Sequence, residues 1–233
     1  MENKLQFNVV DYPNEKQLQI GPEGSDEGIK YAHENNIFSL MIRCFDEPNE
    51  KYITVDFSWL KQLPKIQSLE IMVPLAKNSN ITGIYDLKNL KNLHYSHYDN
   101  APLEHTKLQL LEHLYTHYSK EHKFKDCSFE LLKNLKSLKL WHVKDEENCI
   151  FIGMLNKLKR LELTWSRSIK TLDGLENYKL LETLWLRNIS QLEKISAIND
   201  LKYLKEIWIE NCKKISEEDK KCLKMFRKNI YTK

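Results

Sequence analysis

The stretches LKRLEL (Leu158 to Leu163), LETLWL (Leu181 to Leu186) and LKEIWI (Leu204 to Ile209) follow one another at a constant interval of 23 residues. Working outward, the same L-x-x-L-x-L pattern reads LKSLKL at Leu135 to Leu140, LEHLYT at Leu111 to Thr116, LKNLHY at Leu90 to Tyr95 and IQSLEI at Ile66 to Ile71. Taking Leu69, Leu93, Leu114, Leu138, Leu161, Leu184 and Ile207 as reference points, the spacings are 24, 21, 24, 23, 23 and 23 residues. A fixed period in this range marks a chain built from stacked supersecondary units. Within each copy, alternating apolar residues such as Leu161 and Leu163 suit a strand with one buried face. One such strand buries too little by itself, so neighbouring copies must stack to share a core.

From about Leu40 to Cys212 these copies resemble the leucine-rich repeat family, whose pattern is L-x-x-L-x-L-x-x-N/C-x-L. The resemblance implies an α/β fold, a curved horseshoe solenoid with a parallel sheet on its concave face. The convex face would carry short helices or 3₁₀ turns, and both ends would be capped. One departure stands out. The turn position occupied by Asn or Cys in the family holds Pro74, Tyr98, Ser119, Val143, Ser166, Ile189 and Cys212. The return segments carry apolar residues at about three-residue spacing, among them Ile169, Leu172, Leu175 and Tyr178, then Leu192, Ile195, Ile198 and Leu201. With so few residues per repeat, 3₁₀ turns or helices of one to two turns are expected there.

A single domain spanning residues 1–233 is expected, with 1–48 as an N-terminal cap and atypical first repeats, 49–212 as repeats and 213–233 as a capping helix. Leu18/Ile20 and Leu40/Ile42 look like early strand pairs, with a helix capped by Ser25 between them. At the other end, Ser216 precedes Glu217, Glu218 and Asp219, an N-cap followed by an acidic first turn. Cys222, Phe226 and Ile230 would form the apolar stripe of a closing helix from Ile215 to Ile230.

Composition narrows the function classes. The opening residues Met1 to Leu5 show no basic region followed by an apolar run, and no stretch approaches the length of a membrane span. The five cysteines have no C-x-x-C spacing, which points to reduced, mostly buried thiols and a cytoplasmic protein. Lys88, Lys91, Lys133, Lys136, Lys157, Lys159, Lys202 and Lys205 recur where repeats enter their strands. Because the net charge is only +3, this rim reads as a solvated edge, and a nucleic-acid partner is disfavoured.

Strand geometry assigns side chains to the concave face, and four of the five tryptophans map there, namely Trp141, Trp165, Trp185 and Trp208. Five of the eight histidines map there too: His94, His97, His113, His117 and His142. Such rings can simply stack along a sheet and stiffen it. Clustered with Arg160 and Arg187, however, they match the residue types that dominate binding hot spots. Charge on this face is mixed, Arg43, Lys139, Arg160 and Arg187 against Glu70, Glu162, Glu206 and Glu210, which suits a protein surface better than a phosphate backbone. The predicted contact set is Trp141, Trp165, Trp185, Trp208, Tyr115, His94, His117, Arg160, Glu162, Arg187 and Glu210.

His113 and His117 have the spacing of a helical zinc pair, but four residues along a strand span about 13 Å, too far for one ion. Across strands no two histidines are expected to be direct neighbours, apart from a loose diagonal between His97 and His117. No glycine-rich phosphate loop, G-x-S-x-G or H-E-x-x-H occurs, and Cys127 and Cys149 fall where buried apolar roles are expected. The expectation is therefore a non-enzymatic protein-binding scaffold without cofactor or metal, monomeric when free. Family resemblance extends this to an inhibitor or a toxin-immunity protein; a carbohydrate- or nucleic-acid-binding module is the alternative.

Overall fold

A computed structural model describes residues 7–13, 15–45, 52–95, 101–118, 127–223 and 230–232. The chain divides into two compact units, residues 1–103 and 104–233.

In the first unit, β1 (Phe7–Asp11) and β2 (Lys16–Ile20) form an antiparallel pair. From β2 the sheet continues in parallel through β3 (Ser39–Ile42), β4 (Ser68–Ile71) and β5 (Asn92–Tyr95). The register aligns Leu18, Leu40, Leu69 and Leu93, all buried, so the early L-x-I pairs are strands of the same repeat. The antiparallel β1 is not legible as a repeat, because it has no place in the period. Between β2 and β3 runs α1 (Asp26–Glu34), whose Ser25 side chain accepts from the Gly28 N–H at 3.2 Å. Two 3₁₀ helices, Phe57–Gln62 and Thr82–Asp86, stack on the return side. Gly83 is where they touch: a Cβ there would run into the carbonyl oxygen of Phe57. The fifth tryptophan, Trp59, is buried and donates from Nε1 to the Pro22 carbonyl at 3.2 Å.

The second unit is wholly parallel: β6 (His113–His117), β7 (Ser137–Trp141), β8 (Arg160–Thr164), β9 (Thr183–Arg187), β10 (Glu206–Glu210) and β11 (Ile230–Thr232). Leu114, Leu138, Leu161, Leu184 and Ile207 line up in one buried row. The predicted 3₁₀ turns are present at His105–Lys107, Phe129–Leu131, Ile150–Ile152, Leu175–Asn177 and Ser196–Asp200. Apolar return residues from Ile169 to Tyr178 and Leu192 to Leu201 are buried beneath the strands, as their spacing required.

The closing segment differs from the expected single helix. Ser216 does cap α2 (Glu217–Leu223), accepting from the Asp219 N–H at 3.0 Å. Ile230, however, belongs to β11, which pairs with β10. A helical stripe from Cys222 to Ile230 therefore does not form. The open edge of β10 supplies backbone hydrogen-bonding groups, and Ile230-Tyr231-Thr232 is a β-prone tripeptide able to meet them. Phe226 lies outside the described residues.

Lys136, Lys159 and Lys205 of the lysine rim are paired with acids of neighbouring repeats. Lys136 reaches Glu112 at 2.5 Å, Lys159 and Lys205 converge on Glu182 at 3.2 and 2.6 Å, and Lys157 donates to Asn134 at 2.6 Å. The two lysine contacts hold the Glu182 carboxyl below the usual carboxylate range.

Candidate functional site

Most of the predicted contact set lies in the second unit, on the strand face away from the leucine row. Parallel pairing sets Tyr115 beside Lys139, Lys139 beside Glu162, Glu162 beside Trp185, and Trp185 beside Trp208. One position further along, His117 faces Trp141, and Arg187 faces Glu210. Two aromatic groups result. In the first, Trp141 meets Tyr115 edge-on at 5.1 Å between ring centroids and stacks with His117 at 6.1 Å. The second is the Trp185–Trp208 pair, centroids 6.1 Å apart, with Trp185 Nε1 donating to Glu206 at 3.2 Å.

Charges stitch these groups together. Lys139 Nζ sits 4.6 Å from the Tyr115 ring centroid and 5.6 Å from that of Trp141, geometry for cation–π attraction. The same ammonium lies 3.2 Å from Glu162, which also faces Arg187 at 3.8 Å and accepts from the Thr164 hydroxyl at 3.2 Å. Glu162 is only 6% exposed, so this carboxylate is an internal anchor rather than a contact surface. Arg187 additionally donates to Glu210 at 3.1 Å. Burial, and secondarily the charge of Glu162, push the Tyr115 phenol up, so it stays protonated. The Trp141 indole N–H is buried without a hydrogen-bond partner among the described residues, a group that costs about 1–3 kcal/mol to leave unpaired.

The row at the ends of these strands was read from sequence only as a continuation of the face. His142, Trp165, Asn188 and Asn211 occupy equivalent positions of four consecutive repeats, and all have left-handed backbones, with φ of 54°, 61°, 55° and 54°. Asn and His are among the residues that tolerate this conformation; a tryptophan adopts it at a cost of about 1–2 kcal/mol. The left-handed turn carries Trp165 off the strand face to the rim, where it is 52% exposed. It also brings His142 back to within 5.2 Å of His117 and 6.3 Å of Trp165, centroid to centroid. This corrects the expectation that the histidines have no direct neighbour: period-two geometry does not describe a residue that has left the strand. Asn211 donates to the Asn188 amide oxygen at 2.9 Å, so an asparagine pair exists one residue before the position the family pattern names. At that named position Ser166 takes over the structural task, donating to Val143 O at 3.1 Å and accepting from Ile169 N at 3.3 Å.

Beside this row lies a cleft of about 580 Å³ lined by His142, Val143, Lys144, Trp165, Arg167, Asn188, Ser190, Asn211 and Lys213. Of these only Trp165 stood in the predicted set. The signal was present in the sequence: 142, 165, 188 and 211, like 144, 167, 190 and 213, repeat at 23 residues.

Two predicted residues stand apart. Arg160 begins β8, about 13 Å along the strand from Thr164; it is exposed and has no ion pair among the described residues. His94 belongs to the first unit, where it faces Glu70 with Nδ1 3.9 Å from the carboxylate. Glu70 itself is raised above the usual carboxylate range by burial, against a hydrogen bond from Gln17. His97 lies outside the described residues. Val73 and Tyr118, at strand-end positions, are buried.

No three His, Cys, Asp or Glu residues among those described are placed to share a metal ion. Cys127, Cys149 and Cys212 are buried, and burial pushes the thiols of Cys149 and Cys212 up, away from the reactive thiolate. No helix among the described residues is long and apolar enough to cross a membrane.

No protein-family model and no curated protein matches the chain by sequence. Its structure is similar to that of a leucine-rich repeat protein of Leptospira interrogans, with a TM-score of 0.51 over 91% of this chain at 18% identity. The chain has the leucine-rich repeat fold. It spans 57% of the length of that neighbour. In the terms of this fold, the aromatic and charged residues line the strand face and the cleft lies in the turns that follow it.

Proposed function

We propose that this leucine-rich repeat protein is a non-enzymatic scaffold that binds a partner protein on the strand face of residues 104–233. The observation that carries the reading is the placement of rings on four strands. Tyr115 and His117 lie on β6 and Trp141 on β7, with Lys139 over the Tyr115 and Trp141 rings; Trp185 lies on β9 and Trp208 on β10, with Glu206 accepting from Trp185. Half-buried aromatics set among satisfied charges are what a desolvated protein interface uses as anchors. The finer reading is an inhibitor-like or immunity protein that occupies another protein's surface; family resemblance supports it. A cytoplasmic setting is part of the proposal, supported by the unbridged thiols of Cys44, Cys127, Cys149 and Cys212.

The test is capture of partners by the wild-type protein and by a Trp185→Ala/Trp208→Ala variant, followed by affinity measurement with the purified partner. Circular dichroism should show an unchanged fold, and binding should weaken by at least about 2 kcal/mol. Unfolding of the double variant would make the pair structural and remove the main support. Displacement by free sugars, or preference for nucleic acid with a steep salt dependence, would replace the protein partner with one of those ligands.

A further inference from the structure

We infer that the cleft beyond the ends of β7 to β10 receives a short acidic polypeptide segment, its carboxylates on Lys144, Arg167 and Lys213 and its apolar contact on Trp165. The inference deepens the reading of a protein partner and rests on it.

Charge decides the class of ligand. Lys144 and Arg167 occupy equivalent positions of successive repeats, and Lys213 the same position two repeats on, with Ser190 between. All three cations are exposed, line one cleft, and have no ion pair among the described residues. Among the described residues, the cleft lining contains no Asp or Glu. Elsewhere in the same unit lysines at matching positions of the repeat are held by acids of a neighbouring repeat, as Lys136 by Glu112 and Lys205 by Glu182. Among the described residues the cleft cations have no such internal acids, so a carboxylate arriving from outside would complete the pattern.

Strain marks the same place independently. His142 and Trp165 hold left-handed backbones that asparagine accommodates one and two repeats later. A bulky residue kept in that region persists where function or packing requires its ring, and the Trp165 ring is half exposed over the cleft. Dimensions agree with a peptide. A cleft of about 580 Å³ lies within the range of about 300–1,000 Å³ typical of ligand sites. Adjacent strands lie about 4.8 Å apart, so three steps from His142 to Asn211 span about 14 Å, the reach of four to five extended residues. The amides of Asn188 and Asn211 carry both donors and acceptors, which match a peptide backbone. Three cations on a protein of net charge +3 fall short of what a nucleic-acid groove concentrates.

The probe is a fluorescein-labelled hexaglutamate peptide, followed by polarisation with the full chain. Saturable binding is expected, weakening as salt rises, and weakening by at least about tenfold in Lys144→Glu/Arg167→Glu/Lys213→Glu. Trp165→Ala should also weaken it, whereas Trp185→Ala/Trp208→Ala should not. Absence of saturable binding overturns the proposal, as does equal binding by the charge-reversed variant or loss in the Trp185/Trp208 variant. Tighter binding of a hexathymidylate, lost in the charge-reversed variant, assigns the cleft to nucleic acid instead. Because the peptide assay bypasses Trp185 and Trp208, its failure leaves the strand-face reading to be judged by partner capture alone.

Discussion

The Trp165 indole stacks on the His142 imidazole of the preceding repeat, centroids 6.3 Å apart and planes 30° from parallel, while both backbones sit in the left-handed region. Trp165, poorly suited to that conformation, thus occupies a position that Asn188 and Asn211 fill without strain.

Trp165→Asn is therefore expected to hold stability level or raise it by up to about 1 kcal/mol, the released strain offsetting the lost ring contact. Urea denaturation checks this; a loss above about 1 kcal/mol would mean the indole supports the fold.

Glu162 neutralises Lys139 and Arg187 from a nearly closed position. Glu162→Gln leaves both cations facing a neutral amide and should destabilise the protein by about 1–3 kcal/mol. Adding Lys139→Met should recover part of that loss. A strictly additive double variant would show that the two side chains do not interact.

His105 is fully buried, stacks on Phe129 at 5.4 Å and places Nδ1 2.9 Å from the Ser128 carbonyl. Burial pulls its pKa from the ordinary 6.5 down to about 4. Folding therefore favours the neutral ring: its contribution is complete above pH 6.5 and is lost as pH falls toward 4. The full loss is on the order of 3 kcal/mol. His113, lowered chiefly by burial, acts in the same direction, whereas Glu70, raised by burial, acts in the opposite one. Comparing wild type with His105→Gln isolates the single ring. The wild-type stability should fall more steeply between pH 6.5 and 4, and parallel curves would refute the assignment.

Gly83→Ala would drive a methyl group into the Phe57 carbonyl and separate two stacked 3₁₀ helices. A loss of about 1–3 kcal/mol is expected in thermal or urea unfolding. Gly21→Ala, where a Cβ finds its nearest contact at 3.6 Å, should be far milder. Equal effects would show that the helix contact yields.

The strand rows were legible because an L-x-x-L-x-L copy carries its own register: once Leu114, Leu138, Leu161, Leu184 and Ile207 are aligned, parallel pairing follows. The same alignment exposed the ring positions Tyr115, Trp141, Trp185 and Trp208. It could not show that Glu162 is closed over by Lys139 and Arg187, since burial of a face residue depends on the length and reach of side chains two strands wide. Nor did it place Ile230 in a strand: Ile230 follows Ile207 at the 23-residue interval, but Arg227 stands where the leading Leu of a copy would be, and the partner of Ile230 is the edge left open by β10.

By itself the sequence determined the leucine-rich repeat fold, the buried leucine rows and the strand face, because these follow from a local period that every copy repeats. Only the tertiary structure decided where the cleft residues collect. A change in the sign of φ carries the Trp165 ring to the rim and sets His142 between it and His117, and stacking four such turns lines up Lys144, Arg167 and Lys213 beside them. The apolar period does not encode backbone handedness at a non-glycine residue, and a cleft exists only once neighbouring repeats are packed together.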